Sequence, residues 1–317
     1  MGSAGAVGGT ARTVDRPDWA VIVVNYGSHL LIDANLGWSL DGTRVVVVDN
    51  YHSDVEREDI AKVAARRGWD LVPLPGNRGF GAAVNAGAAR ARALGCRGFL
   101  LLNPDARVSA EVVATLRQHV LREPRSLVSP RIADASGHTV FQGVELMLDR
   151  GSMRRAGIPH SGHEAGRPAE LWLTGACLAV HDELFTRIGG FDEKYFLYWE
   201  DVDLCHRAVD AGGKLFVRDD LLAIHDEGGT QGMSGARAKS ALYYYFNCRN
   251  RLLFAARNLD RAGLLRWLLH TPSASWEILM RGGRRQLLHS PGPALAALRG
   301  TFAGVRVAIR ALLRKNV

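Results

Sequence analysis

Four short runs in the first third of the chain are dominated by consecutive apolar residues: AVIVV at 20–24, RVVVVD at 44–49, DLVPL at 70–74 and GFLLL at 98–102. Runs that do not alternate apolar with polar suit parallel strands covered on both faces. Helix-like stretches at 30–40, 55–67, 81–94 and 110–122 lie between and after them. This β-α-β-α order predicts an α/β fold with a doubly wound sheet flanked by helices, whose ligand sits at the carboxyl ends of the strands. Asn25, Asp49, Asn103 and Asp105 stand at those ends. The segment 136–167 is rich in Gly, His and Arg and predicts irregular chain covering the site. Short helices are expected at 183–188 and 201–211, each stopped by a glycine pair. Residues 215–217 and 221–224 read as short strands and 236–258 as a long helix, after which prolines and glycines divide the remainder into shorter helices.

Several strand ends carry chemistry. LLNPDA at 101–106 runs an apolar strand into Asn103-Pro104-Asp105. Proline cannot continue a central strand, so the chain turns and presents Asp105. A carboxylate there can hold a hard divalent ion that keeps phosphate oxygens as further ligands; a plain Asx/Pro turn explains the same residues. NRGFGAAVNAG at 77–87 places Gly79 and Gly81 before an Ala-rich helix. Glycine permits unusual φ there, and a helix N-terminus favours an anion such as pyrophosphate; tight packing on the sheet is the alternative. Asp49 can accept from a nucleotide base or ribose, or cap the next turn. His225, just after a short strand, is either a metal ligand or a structural histidine.

The stretch YFLYWEDVDLCHR at 195–207 sets four aromatics directly before three carboxylates. A structural reading makes Asp201 the helix N-cap, Asp203 a first-turn charge and 195–199 core. Capping needs one acid, however, not three. Adjacent carboxylates and apolar walls raise carboxyl pKa values, the condition of a general base. Helix neighbours on one face lie three or four apart, so at most two of Glu200, Asp201 and Asp203 face a common site.

Taken in order, VIVVNYGS, VVVVDN, NRGFGAAVNAG, LLNPDA, LTGACLAVHDELFTRIGGFDEKYFLYWEDVDLCHR and AIHDEGGT resemble the family 2 glycosyltransferases. The resemblance spans about residues 19–258, is most specific over 174–207, and is closest to the bacterial rhamnosyltransferase-like branch, whose members build cell-wall linkers and O-antigens. It implies a GT-A fold with a mixed sheet, an inverting transfer and a nucleotide-sugar donor, a dTDP- or UDP-sugar, with dTDP-rhamnose first. Asn25, Tyr26, Asp49, Asn77, Gly79, Asn85 and Asn103 match donor-side positions. Asp105 and His225 match metal-holding positions for Mg2+ or Mn2+, although Asn103 replaces the usual first Asp of the DxD motif. Asp201 matches the catalytic base, with Glu200 as runner-up, and Gly175, Tyr198 and Trp199 fall on the acceptor side. The acceptor implied is a saccharide on a polyprenyl diphosphate. A soluble aglycone is the alternative, and a sugar nucleotidyltransferase is disfavoured because Asn25-Tyr-Gly-Ser28 carries no Arg or Lys for a triphosphate.

Charge adds one element. The chain of 317 residues has a formal net charge of +8. From Arg249 onward thirteen Arg and Lys face two acids, a segment charge of +11, so the remainder is about −3. The basicity therefore belongs to the tail. Leu298, Phe302, Val305, Ile309 and Leu312 recur there at helical spacing, beside Arg299, Arg306, Arg310 and Arg314. Such a helix suits an anionic membrane surface or packs on the catalytic domain. Aromatics are sparse in the tail, which argues against a nucleic-acid stacking platform. The expected organisation is a flexible leader at 1–18, a catalytic domain at 19–258 (nucleotide-binding half 19–106, acceptor half 107–258) and a helical tail at 259–317. Four cysteines without a CxxC pair suit a reduced, cytosolic compartment, no apolar run reaches spanning length, and the basic tail with the lipid-linked acceptor that the resemblance implies predicts a cytoplasmic protein peripheral on the inner face of the cell membrane.

Overall fold

The computed structural model describes residues 17–36, 42–157, 168–225, 239–284 and 286–314. Strands β1 (Trp19–Asn25), β2 (Thr43–Asp49), β3 (Asp70–Pro73) and β4 (Gly98–Leu102) alternate with helices α1 (His29–Asn35), α2 (Asp54–Arg67) and α3 (Phe80–Ala93). Next come β5 (Ala106–Arg107), α4 (Ala110–Arg122), β6 (Ser126–Ala133), β7 (Thr139–Phe141), β8 (Val144–Met147), β9 (Ser152–Arg155), β10 (Ala169–Trp172) and β11 (Cys177–His181). Helices α5 (Asp182–Arg187) and α6 (Glu200–Asp210) precede the long β12 (Lys214–His225). The described chain closes with α7 (Ala241–Asn258), α8 (Arg261–Leu269), α9 (Thr271–Met280), α10 (Gln286–His289) and α11 (Gly292–Arg314).

The main sheet runs β3-β2-β1-β4-β11-β6-β12-β5, with β7 on β6. The pairs β3/β2, β2/β1 and β1/β4 are parallel, whereas β11 is antiparallel to both β4 and β6. The sheet is therefore mixed. Side chains along each strand alternate between two cores. Val21, Val23, Val45 and Val47 pack with Ile32, Ile60 and Leu116 of α1, α2 and α4. Ala20, Ile22, Val46 and Val48 meet Ala83, Val84, Ala88 and Ala91 of α3. Helix α3 approaches closely because it is built of small residues: a Cβ on Gly87 would lie 2.5 Å from Ile22 Cγ2.

The structure departs from the expected pattern in the second half. Within 136–157, expected to be irregular, the chain forms β7, β8 and β9, and β8 pairs with β9 and β10 in a separate three-stranded sheet. Glycines and arginines concealed these strands because they are only three or four residues long and at most partly buried along much of their length. Residues 158–167 lie outside the described residues, as do 1–16 of the expected leader, 37–40 of the expected first helix and 236–238 of the expected long one. The two short strands at 215–217 and 221–224 are one strand, β12, with a register shift between Arg218 and Leu222.

A third core joins the site's aromatic run to the C-terminal helices: Tyr195 and Trp199 pack with Leu252, Phe254, Trp267 and Ala308. Buried Arg251 of α7 donates to the carbonyls of Gly151 and Trp267 and to Thr271 Oγ1, at 3.2 to 3.4 Å. Helix α11 lies along α7 with its small residues inward, Ala297, Gly300, Gly304 and Ala308 being buried. A Cβ on Gly300 would lie 2.2 Å from the Tyr245 carbonyl oxygen. Alanine ordinarily favours a helix by about 1 kcal/mol over glycine, but here it must push two backbones apart. Gly300→Ala is expected to lower stability by about 1–3 kcal/mol, read from the midpoint of chemical denaturation at unchanged slope.

Candidate active site

Three loops converge at the carboxyl ends of β1, β2 and β4. Asn25 and Asp49 are register partners, both fully buried. Asn25 Oδ1 accepts from Ser28 N at 3.0 Å, and its Nδ2 has no partner among the described residues. Asp49 Oδ2 is paired with Arg57 Nε of α2 at 2.6 Å and its Oδ1 accepts from Tyr51 N. Tyr26 is exposed and meets the His52 ring edge-on. Asn77 Oδ1 accepts from Asn50 Nδ2 and from Gly79 N, so Asn50, Asn77 and Gly79 form one hydrogen-bonded unit. Asn85 turns away from it: its amide exchanges two bonds of 2.9 Å with the backbone of Phe191 and pins the turn after α5.

After β4 the chain turns at Asn103–Asp105, and the end of β12 brings His225 to it. His225 Nε2 lies 3.0 Å from Asp105 Oδ1 and 3.4 Å from Asn103 Nδ2. Among the described residues no group of three or more His, Cys, Asp or Glu could hold a metal unaided. The donor set is one carboxylate, one imidazole and a neighbouring amide. It fits a divalent ion whose remaining ligands come from a diphosphate.

The acid-bearing end of α6 lies on the other side of one short loop. Asn103 N donates to Ala176 O at 2.9 Å, and Gly175 N donates to Asp201 Oδ2 at 3.2 Å. Residues 175 and 176 thus tie the Asp105–His225 pair to Asp201. The helix starts one residue earlier than the sequence pattern suggests, at Glu200, and the capping position belongs to Trp199. Tyr198 and Trp199 both adopt left-handed backbone, φ +65 and +74, uncommon for bulky residues. This pair of residues turns the chain so that both acids begin the helix.

The three carboxylates have different surroundings. Asp203 is fully buried and saturated: Tyr195 Oη and Asn258 Nδ2 donate to Oδ1, and Arg207 Nε to Oδ2 at 2.7 Å. Glu200 is buried, its Oε2 has no partner among the described residues, and burial and then the neighbouring Asp201 charge push its pKa well up. Asp201 is half-buried, and burial raises it to about 6 against backbone N–H donors that lower it. An acid of that kind is ionised near neutrality yet remains basic. The aromatic run is divided as well. Tyr195 and Trp199 are core, Trp199 packing on Phe254 and Trp267, whereas Tyr198 is only partly buried.

Residues 21–167 match the family described as Glycosyl transferase family 2. Over these residues the chain is similar to the family 2 glycosyltransferases. The chain is 27% identical over 252 residues to the low-salt glycan biosynthesis hexosyltransferase Agl10 of Haloferax volcanii, covering 77% of this chain and 78% of the relative. An N-acetylglucosaminyl-diphospho-decaprenol L-rhamnosyltransferase of Mycobacterium tuberculosis is 33% identical over 165 residues, 45% of this chain and 53% of its own length. The solved mannosyltransferase PcManGT of Pyrobaculum calidifontis, in complex with GDP-Man and Mn2+, superposes with a TM-score of 0.54 at 17% identity, covering 95% of this chain and 87% of that one. The mixed sheet flanked by helices is the GT-A fold.

The structure adds residues to this candidate site that sequence patterning had not marked. Phe80 N donates to Phe196 O at 3.1 Å, and a Cβ on Gly79 would lie 2.2 Å from that same oxygen. Asn250 of α7, fully buried, donates from Nδ2 to Leu197 O at 2.9 Å and Tyr198 O at 2.8 Å. The left-handed turn is thereby clamped from both sides. Asparagine spacing on α7 was the available signal, but nothing local says what that face meets. Asn250→Ala leaves two carbonyls unsatisfied, costing about 1–3 kcal/mol. It is expected to lower kcat at least tenfold in steady-state assays, by about 1.4 kcal/mol or more, while leaving the donor KM within about twofold.

Proposed function

We propose that this chain is an inverting, metal-dependent hexosyltransferase moving a sugar from a nucleoside-diphosphate donor to a hydroxyl of a polyprenyl-diphosphate-linked saccharide, in cell-wall or polysaccharide assembly. The observation that carries this reading is the single loop at 175–176, which links a carboxylate raised to about 6 to the Asp105–His225 pair. Rhamnose from dTDP-rhamnose is the first donor to try, on the strength of the mycobacterial relative's name. A reaction on a cytosolic sugar nucleotide and a lipid-linked acceptor belongs at the cytoplasmic face of a membrane.

In this reading Asp201 accepts the proton of the acceptor hydroxyl as its oxygen bonds to the anomeric carbon from the face opposite the diphosphate. The bond from that carbon to the diphosphate oxygen breaks, the nucleoside diphosphate leaves, and configuration inverts. Gly175 N–H keeps the Asp201 carboxylate oriented, and a positioned base contributes about 10²–10⁴-fold. Burial and then the Asp201 charge push the Glu200 pKa up, which favours its neutral form and limits negative charge beside Asp201. Asn25 and Asp49 lie where a base and ribose would rest, and the Asn77–Gly79 turn closes on the donor. Asp105 and His225 would hold the divalent ion, which when bound supplies charge stabilisation to the departing diphosphate.

The defining experiment is a donor screen by released nucleoside diphosphate, with and without Mg2+ or Mn2+, using lipid-linked and soluble acceptors in parallel. Asp201→Asn is expected to retain donor affinity in calorimetry and to lose at least about 10²-fold in transfer; turnover near wild type would exclude it as the base. Wild-type kcat/KM should fall below an apparent pKa near 6 as Asp201 takes up its proton. The stability effect has the opposite sign. The folded state holds this proton more tightly than the unfolded chain, so stability falls as pH rises from the ordinary value of 3.8 through about 6. Asp201→Asn should therefore raise Tm at pH 7.5, with a gain of at most about 3 kcal/mol. Asp105→Ala should abolish the metal-dependent part of donor affinity while leaving the metal-free part; equal calorimetric affinities with and without metal in the wild type would remove Asp105 from the metal site.

A further inference from the structure

The way α11 is mounted leaves an outward face that the fold does not use. At 3.6 residues per turn, the buried Ala297, Gly300, Gly304 and Ala308 share one side of the helix. These are its smallest residues, and backbone contact through them seats it on α7, where Gly304 would bring a Cβ 3.0 Å from Arg249 O. The large apolar residues are on the far side. Leu295, Leu298, Phe302, Ile309 and Leu313 are between 48% and 65% exposed. The apolar stripe at 298–312 expected from the sequence is thus divided: Val305 and Leu312 lean into the core, and Leu298, Phe302 and Ile309 face outward. Packing on the body and an exposed apolar face coexist in one helix.

Charge specifies what the face meets. Arg299, Arg306, Arg310 and Arg314 are all exposed and follow the apolar row along one edge, and Gly292–Arg314 contains no acid. Ser275 of α9 hydrogen-bonds Thr301 at 2.8 Å, and the next residue, Trp276, is 59% exposed. No helix among the described residues is long and apolar enough to cross a membrane. A row of Leu, Phe and Ile edged by arginines, with an exposed Trp beside it, matches the chemistry of a helix lying in the headgroup region of an anionic bilayer. We infer that α11, with Trp276 beside it, is a surface by which this protein docks in plane on an anionic membrane. The docking does not depend on the transfer reaction, and its measurement needs neither donor nor acceptor.

The test is co-sedimentation of the full chain with phosphatidylglycerol/phosphatidylcholine vesicles and with phosphatidylcholine vesicles alone. The wild type should bind the first, less so as salt rises, and not the second. Phe302→Asp with Ile309→Asp changes only exposed positions and should weaken binding at least about tenfold. Replacing Arg299, Arg306 and Arg310 by Gln should cost about fivefold per arginine. Unchanged circular dichroism and Tm in both variants would show that the fold survives. Absence of binding to anionic vesicles, equal binding to both vesicle types, or variants that bind like the wild type would overturn the proposal. So would sedimentation showing a wild-type dimer that Phe302→Asp with Ile309→Asp dissociates, which would make this face a contact between copies.

Discussion

The arrangement of the site depends on one electrostatic conflict: two adjacent carboxylates, Glu200 and Asp201, begin a helix against an apolar wall. A low-dielectric setting disfavours charge on both, and each disfavours charge on the other. The fold answers by treating them unequally. Asp201 receives the Gly175 N–H and its own helix's N–H groups and is held near 6, while Glu200 has one oxygen without a partner among the described residues and is pushed well up. Two neighbouring acids with separated proton affinities give a site that can take a proton from one group without accumulating two charges. The helix N-terminus supports the one that ionises.

This arrangement would fail without the turn that delivers it. Tyr198 and Trp199 take left-handed backbone that side chains of their size rarely adopt, and such a conformation persists only when its surroundings over-determine it. Asn250 holds the two preceding carbonyls, Phe80 N–H and the bare Gly79 press on Phe196, and the Trp199 ring is packed into the third core. The loop carrying Gly79 and the turn bearing the acids are therefore in backbone contact, and α7 forms the floor beneath the turn. The C-terminal helices belong to this support: Trp267 packs on Trp199 and Phe254, and α11 closes over α7 through its glycines. A helix that presents arginines and large apolar residues outward is thus rigidly connected to the turn carrying the acids, which fixes the orientation of the site relative to whatever that face contacts.

Much of this was legible in the chain. Non-alternating apolar runs with helices between them required a parallel sheet covered on both sides, and strand-end positions followed from that topology, which is why Asn25, Asp49 and Asp105 could be named as neighbours. Spacing also allowed at most two of Glu200, Asp201 and Asp203 to face a common site, and in the structure Asp203 is bound up with Tyr195, Arg207 and Asn258. Local pattern misled where strands were short and only partly buried, as in β8 and β9. The structural alternative for Asp201, a helix cap, does not hold, because the packed Trp199 occupies that position.

The sequence by itself determined which residues are apolar, which are acidic and how far apart they fall along each element, because periodicity and turn chemistry are local properties. Only the tertiary structure decided how unlike the surroundings of the two acids are, which asparagine clamps the turn, and which side of α11 faces inward. Those outcomes depend on groups brought together from distant parts of the chain: Asp201 with Gly175, Asn250 with Tyr198, Gly300 with Tyr245. Burial and close backbone approach are properties of the assembled neighbours, and no window of local sequence contains them.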